Sequence, residues 1–322
     1  MRGHLNKFLV AFGVTILSPL AMLGCAGPDL TSAPAPAAES APTPPPATIP
    51  DAALPLGPIG GIDRPALVFE PPGYSSRVPA PLIILLHGLT ASGQLQELYL
   101  QLRPVAAERG ALYVLVDGTV DRFGVRFWNA TDFCCDGTQT GVDDSAYLRR
   151  VITDVMSRWS VDPKRIYLVG HSNGGFMAHR AACDHADLIA GIASLAGETW
   201  LDPTRCHPSA PVSVLQIHGT RDTVVPYGGL PSGFPGAEET TRRWATLNGC
   251  DESALDQSDP PRDYETALPG DETRIARYAR GCRASSVAEL WSLQGAGHIP
   301  LIGDAFRRGL IDFLLAHPKP QL

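Results

Sequence analysis

Gly170-His171-Ser172-Asn173-Gly174 follows the apolar run 165–169 directly, and the segment 176–186 after it reads as a helix. Strand, sharp turn and helix in that order hold a serine at the apex of a strained turn with its hydroxyl exposed. The glycines two before and two after it let strand and helix approach closely. A hydroxyl so placed can act as the nucleophile of acyl transfer, provided that a base takes its proton and a carboxylate orients the base. Both types follow in the order Ser, Asp, His: Asp222 in the loop after the apolar run 212–217, and His298 in the Gly-bracketed loop Gly295-Ala296-Gly297-His298 after the run 288–293. Upstream, the run 81–86 opens into His87-Gly88-Leu89. The backbone amides of Leu89 and Asn173 are the donors expected to bind an oxyanion, and their side chains are expected to matter little.

Three residues on three post-strand loops can meet only if their strands lie side by side and parallel, with loops at the carboxyl ends. The chain alternates accordingly: buried-strand runs at 81–86, 112–116, 165–169, 191–195, 212–217 and 288–293, and helical patterns at 146–159 and 304–316. This predicts an α/β-hydrolase fold, a mostly parallel, doubly wound sheet with helices on both faces.

Among nine histidines, His298 alone has the required place in the order; His87, His171 and His218 fall at strand-to-loop turns, and His179, His185 and His207 read as surface residues. The rivals to Asp222 are Glu198 and Asp202, which read as solvated loop carboxylates.

Arg2 and Lys7 precede an uncharged apolar stretch, 8–23, shorter than a membrane span, so residues 1–24 are expected to be a signal peptide. It ends Met22-Leu23-Gly24-Cys25, which resembles a bacterial lipobox with Cys25 as the lipidated first residue of the mature chain. Residues 28–50 hold eight prolines, and 25–52 is expected to be an extended Pro/Ala-rich linker, leaving 53–322 as the catalytic domain. The net charge of −7 argues against nucleic acid as a partner. The expected location is exported and membrane-anchored through the lipidated N-terminus, or else freely secreted, and the expected state is a monomer.

Six cysteines remain beside Cys25, an even number that suits an exported chain. Cys250 with Cys282 and Cys183 with Cys206 are the first pairings considered. Adjacent Cys134 and Cys135 then form a vicinal bridge, or the pairing differs. No metal is expected, since no Cys or His pair has ligand spacing.

The residues together resemble the poly(3-hydroxybutyrate) depolymerase and feruloyl esterase family of α/β-hydrolases, in particular its bacterial lipoprotein branch. The resemblance is carried by His87-Gly88, Phe127-Trp128-Asn129-Ala130, Cys134-Cys135, Val142-Asp143-Asp144, Gly170-His171-Ser172-Asn173-Gly174-Gly175, His218-Gly219-Thr220 with Asp222, Val225-Pro226-Tyr227, Asn248-Gly249-Cys250 and Gly297-His298. It implies Ser172, Asp222 and His298 as the triad, places Trp128 and Asn129 near the acyl or sugar side of the pocket, and requires no cofactor. One departure is that Ile299-Pro300 stands where the family often carries Trp-Pro. The activity expected is that of a serine esterase acting on polyhydroxyalkanoate, feruloyl or acetyl esters. The alternatives are a serine peptidase or acyltransferase on the same fold, or a binding lipoprotein without activity.

Overall fold

The computed structural model describes residues 57–319. The calls on residues 1–56, including the signal peptide, Cys25 and the proline-rich linker, lie outside the described residues. The strands are β1 (Leu67–Phe69), β2 (Ala80–Leu86), β3 (Leu112–Leu115), β4 (Thr119–Val120), β5 (Arg126–Phe127), β6 (Val161–His171), β7 (Gly191–Leu195), β8 (Ser213–Gly219), β9 (Thr273–Tyr278) and β10 (Ala288–Leu293). The α-helices are α1 (Gly93–Leu100), α2 (Arg103–Glu108), α3 (Asp144–Arg158), α4 (Asn173–Asp184), α5 (Ala237–Asn248) and α6 (Asp304–Ala316).

Eight strands form one sheet in the order β1-β3-β2-β6-β7-β8-β10-β9. The six inner strands run parallel, and β1 and β9 close the two edges antiparallel. The inner strands β2 and β3 are apolar because both faces are covered, whereas β8 and β10 also bury polar side chains, Gln216, His218 and Glu289 among them. Along β2 the alternation is direct: Leu82, Ile84 and Leu86 enter the core that holds Tyr147 of α3, Phe176 of α4 and Trp244 of α5. Ile83 and Leu85 enter the opposite core with Val105 of α2 and Phe306, Leu310 and Leu314 of α6. A period of two thus sends successive side chains to two different cores.

Parallel order determines where the loops emerge. The carboxyl ends of β2, β6, β8 and β10 deliver His87, Ser172, Asp222 and His298 to one end of the sheet, as the topological rule for open sheets requires. The sulfurs of Cys134 and Cys135, Cys183 and Cys206, and Cys250 and Cys282 are bonded.

Candidate active site

Ser172 is the N-cap of α4 with φ 54° and ψ −121°, a backbone that side-chain-bearing residues rarely adopt. A serine at an N-cap ordinarily accepts from the first turn of its helix, but this one makes no such bond, which leaves Oγ available. The elbow is possible because a Cβ at Gly170 would fall on the carbonyl of Gly174, and one at Gly174 on the carbonyl of Leu86.

His298 joins the other two groups. Its Nε2 lies 2.9 Å from Ser172 Oγ and its Nδ1 lies 2.7 Å from Asp222 Oδ2. A carboxylate only accepts, so Nδ1 carries the proton and Nε2 presents a lone pair to the serine hydroxyl. Asp222 is aimed by the N–H groups of Val224 and Val225, which donate to Oδ1 at 2.8 and 2.9 Å. Burial opposes its charge, but bonds from His218 and His298 hold the Asp222 carboxyl well below the usual carboxylate range.

The loop carrying His298 is clamped from two sides. His171 Nε2 donates to the His298 carbonyl at 3.0 Å, and Tyr99 Oη donates to the Pro300 carbonyl at 2.8 Å, while the Tyr99 ring lies against His171 with centroids 5.5 Å apart. Burial lowers the His171 pKa to about 4, so it donates as a neutral ring. Beyond it, Thr266 donates its backbone N–H to the Leu301 carbonyl at 2.7 Å.

The Leu89 and Asn173 amides face the same turn. A Cβ on Gly88 would stand 3.5 Å from Ser172 Cβ, so the chain at 88–89 passes beside the serine. Gly88 N–H is spent on Gln96 Oε1 at 3.0 Å and Thr90 N–H on the Arg126 carbonyl at 2.8 Å. Between them the Leu89 N–H has no acceptor among the described residues. Asn173 is the first residue of α4, where a backbone N–H has no intrahelical partner and the helix dipole favours negative charge.

The scaffold under these amides corrects two expectations. Trp128, placed at the pocket by the family resemblance, is 0% exposed. Its indole N–H donates to the His87 carbonyl at 3.0 Å and its ring lies 4.9 Å from that of His87, so it supports the 87–89 turn from below and cannot touch a substrate. The Asn173 side chain, expected to matter little, clasps the Trp128 backbone, accepting its N–H at 2.7 Å and donating to its carbonyl at 2.9 Å. His87 completes the support. Gly118 N–H donates to its Nε2 at 2.9 Å, so Nδ1 carries the proton and donates to the Gly88 carbonyl at 2.8 Å. Burial lowers its pKa to about 4 and keeps it neutral.

Asn129 is half-buried; its side-chain amide donates to the Val142 carbonyl at 2.9 Å. It lines a cavity of about 610 Å³ with Arg180 and Asp184 that includes none of Ser172, Asp222 and His298. A larger cavity of about 850 Å³, between α5 and the β9 edge, also excludes all three. The residues adjoining the site expose an apolar rim instead: Leu89, Val224 and Ile299 are 43%, 65% and 63% exposed.

Three polar residues expected at the surface are buried. His179 donates to Gln216, His185 is bonded to Ser145, and Glu198, read as a solvated carboxylate, is 0% exposed and bonded to His218. Asp202 is exposed and caps a short 3₁₀ turn. His171 and His218, read from the chain as strand-to-loop residues, bond to the backbone of the His298 and Asp222 loops, whereas Tyr99 carries no signal in the chain that marks it for its role.

Residues 74–230 match the Phospholipase/Carboxylesterase family, a span that holds Ser172 and Asp222 and stops short of His298. Feruloyl esterase B of Piromyces equi is 32% identical over 246 residues, 73% of this chain and 42% of that protein. Poly(3-hydroxyalkanoate) depolymerase C of Paucimonas lemoignei is 22% identical over 246 residues, 68% of this chain and 55% of that protein. The chain therefore spans about half the length of these curated relatives. Among solved structures, the acetyl xylan esterase from Aspergillus awamori aligns with a TM-score of 0.56 at 15% identity, covering 78% of this chain and 94% of that one, a likeness of fold.

Proposed function

We propose that the chain, whose residues 74–230 match the Phospholipase/Carboxylesterase family, is an exported serine esterase that works through an acyl-enzyme on Ser172. The observation that carries this reading is one imidazole, His298, bonded at once to Ser172 and Asp222 beside two amides, Leu89 and Asn173, placed to donate to a third atom.

Ser172 Oγ attacks the ester carbonyl carbon as its proton passes to His298 Nε2. The carbonyl oxygen takes the negative charge into the Leu89 and Asn173 amides, and the imidazolium is stabilised by Asp222. The bond to the alcohol then breaks, His298 returns the proton to the leaving oxygen, and the acyl group remains on Oγ. Water repeats the sequence, losing its proton to His298, and the carboxylic acid leaves with Ser172 restored. Each step uses only groups of this chain, the ester and water.

The substrate class proposed is a feruloyl, acetyl or hydroxyalkanoate ester. The names of the two relatives support the first and last, and the open apolar rim of Leu89, Val224 and Ile299 suits an ester carried on a larger molecule. Export is supported by three bonded cysteine pairs. Anchoring through a lipid on Cys25 is the accompanying proposal; a Cys25→Ala chain is then expected to leave the detergent phase in which the wild type is found.

A fluorophosphonate probe followed by a panel of nitrophenyl esters, methyl ferulate, acetylated xylan, hydroxybutyrate oligomers and peptide amides tests the function. Labelling at Ser172 with turnover of esters and none of amides is the expected result. A folded wild-type chain that neither labels nor turns over any ester overturns the reading.

A further inference from the structure

Around the Asp222 oxygen that accepts from His298 lies a group of buried polar side chains for which the acyl-transfer steps have no use. His218, the last residue but one of β8, points its Nε2 at Asp222 Oδ2, 3.3 Å away, and at the Val225 carbonyl, 2.8 Å away. Its Nδ1 lies 2.9 Å from Glu198 Oε1, and both side chains are 0% exposed. Two carboxylates of the loops after β7 and β8 therefore flank one buried imidazole.

The protons in this group can be placed from donors and acceptors alone. Trp244 Nε1 only donates, and it reaches His179 Nδ1 at 2.9 Å, so that nitrogen is bare and His179 Nε2 carries the hydrogen. His179 Nε2 donates to Gln216 Oε1 at 2.9 Å. That fixes the Gln216 amide, whose Nε2 donates to the Gly197 carbonyl at 2.9 Å and to Glu198 Oε1 at 3.1 Å. A one-way chain of donors thus runs from α5 through α4 and β8 and ends on Glu198 Oε1; burial raises the Glu198 pKa, and the bond with His218 works against that rise. His218 Nε2 faces two acceptors and must carry a hydrogen. Its Nδ1 faces Glu198, and a bare nitrogen there would set a lone pair against a carboxylate. With Glu198 ionised, both ring nitrogens of His218 are protonated.

We propose that Glu198 and His218 are positioning residues for Asp222: a buried imidazolium, held by Glu198, donates to the carboxylate that orients His298 and weakens that carboxylate as a base. This rests on the esterase reading for its kinetic consequence but not for its chemistry. Burial opposes a charge on His218, yet the bonds to Asp222 and Glu198 win and raise its pKa to about 10. The titratable groups that face this cluster are Glu198 after β7, Asp222 after β8, His298 after β10, His171 at the end of β6 with its ring 5.1 Å from that of His298, and Tyr227, whose ring meets His218 edge-on at 5.7 Å and whose hydroxyl reaches Glu238 of α5. His171 is neutral, so the charge beside Asp222 is that of His218.

The consequence is a pH effect. Asp222 alone would hold the proton on His298 tightly and keep the base occupied to higher pH; a second imidazolium sharing Oδ2 counteracts this. Replacing Glu198 by Gln removes the charge that retains the His218 proton while preserving shape and the Gln216 contact.

The test is the kcat/KM–pH profile of wild type, Glu198→Gln and His218→Gln, with nitrogen-15 spectra of the histidine rings of the wild-type protein. The acid limb is expected to move up by about one pH unit in both variants with KM little changed, since a neighbouring charge shifts a titration by 1–3 units at most. The wild-type His218 ring is expected to show two protonated nitrogens at pH 8. An unmoved limb with a uniform fall in kcat assigns these residues a structural role only and overturns the proposal. A neutral His218 ring at pH 7 overturns it even if both variants fail to fold. An inert wild type would refute the esterase and leave the ring spectrum to decide the pair.

Discussion

The two sides of Ser172 are built by opposite means. On the side of the Leu89 and Asn173 amides, the groups bonded to the turn are uncharged: His87, Trp128, Gln96 and the Asn173 side chain exchange hydrogen bonds with backbone, burial holds His87 neutral, and the Arg126–Asp117 pair nearby is half-exposed. On the side of Asp222, support comes from titratable groups: Glu198, His218 and Asp222 are buried in contact, and in the proposed state they alternate in sign. Donors that must meet charge forming on a substrate work best where no competing charge is fixed nearby, and a carboxylate that must orient an imidazole can be tuned by a second charge beside it. The comparison teaches that one site can combine a pH-insensitive half with a pH-tuned half.

The largest effect comes from removing what the halves share. Ser172→Ala is expected to fold normally and lose nearly all turnover, and Asp222→Asn to lose about 10⁴-fold in kcat because an amide favours the wrong His298 tautomer; both are read from initial rates on a nitrophenyl ester. Next, Asn173→Ala leaves its backbone amide in place but releases Trp128, and the turn beneath Leu89 loses a support. A displacement of that order costs about 10² in kcat, and the loss should be the same at every pH, unlike that of Glu198→Gln. A loss that grew toward acid would erase the contrast.

Stability carries two opposite pH dependences. His87, His171 and His179 each titrate near 4 in the fold, against 6.5 when exposed. The unfolded chain binds the extra protons, so each contributes stability that is present above pH 6.5 and falls toward pH 4, by about 1.4 kcal/mol per unit and group. His218 has the opposite sign: with its value raised to about 10, its contribution is full below 6.5 and is lost as pH rises toward 10. Urea midpoints of wild type and His218→Gln across pH 5–9.5 check this, the variant being expected to lose less than the wild type on the alkaline side. The smallest effect is Asp202→Asn, expected to leave kcat within about twofold, since surface substitutions away from a site do little.

What could be read from the chain was local. The elbow, the six buried runs and the two helical patterns depend on neighbours within a few residues, and β10 and α6 match the runs read for them end to end. The hydrogen-bonded meeting of Ser172, Asp222 and His298 follows from their order because parallel strands leave few other places for such loops. What could not be read was burial that depends on distant partners. His179 is polar on a helix and reads as surface, but Gln216 and Trp244 satisfy it from 37 and 65 residues away. Glu198 reads as a loop carboxylate because nothing adjacent shows that His218 will cover it. Trp128 was placed by resemblance beside the site; it is beside the site, but beneath its floor, since its one polar atom is already spent on His87.

The three groups of the site lie far apart along the chain, Ser172 and His298 being separated by 126 positions and Asp222 and His298 by 76. No fragment of the chain holds them together; they meet when β6, β7, β8 and β10 have docked in order. Closing such long loops is entropically costly and slow compared with forming the helices between them. During refolding, helical content should return well before hydrolytic competence, and the recovery of activity times the docking of β10, the last inner strand of the chain to be made.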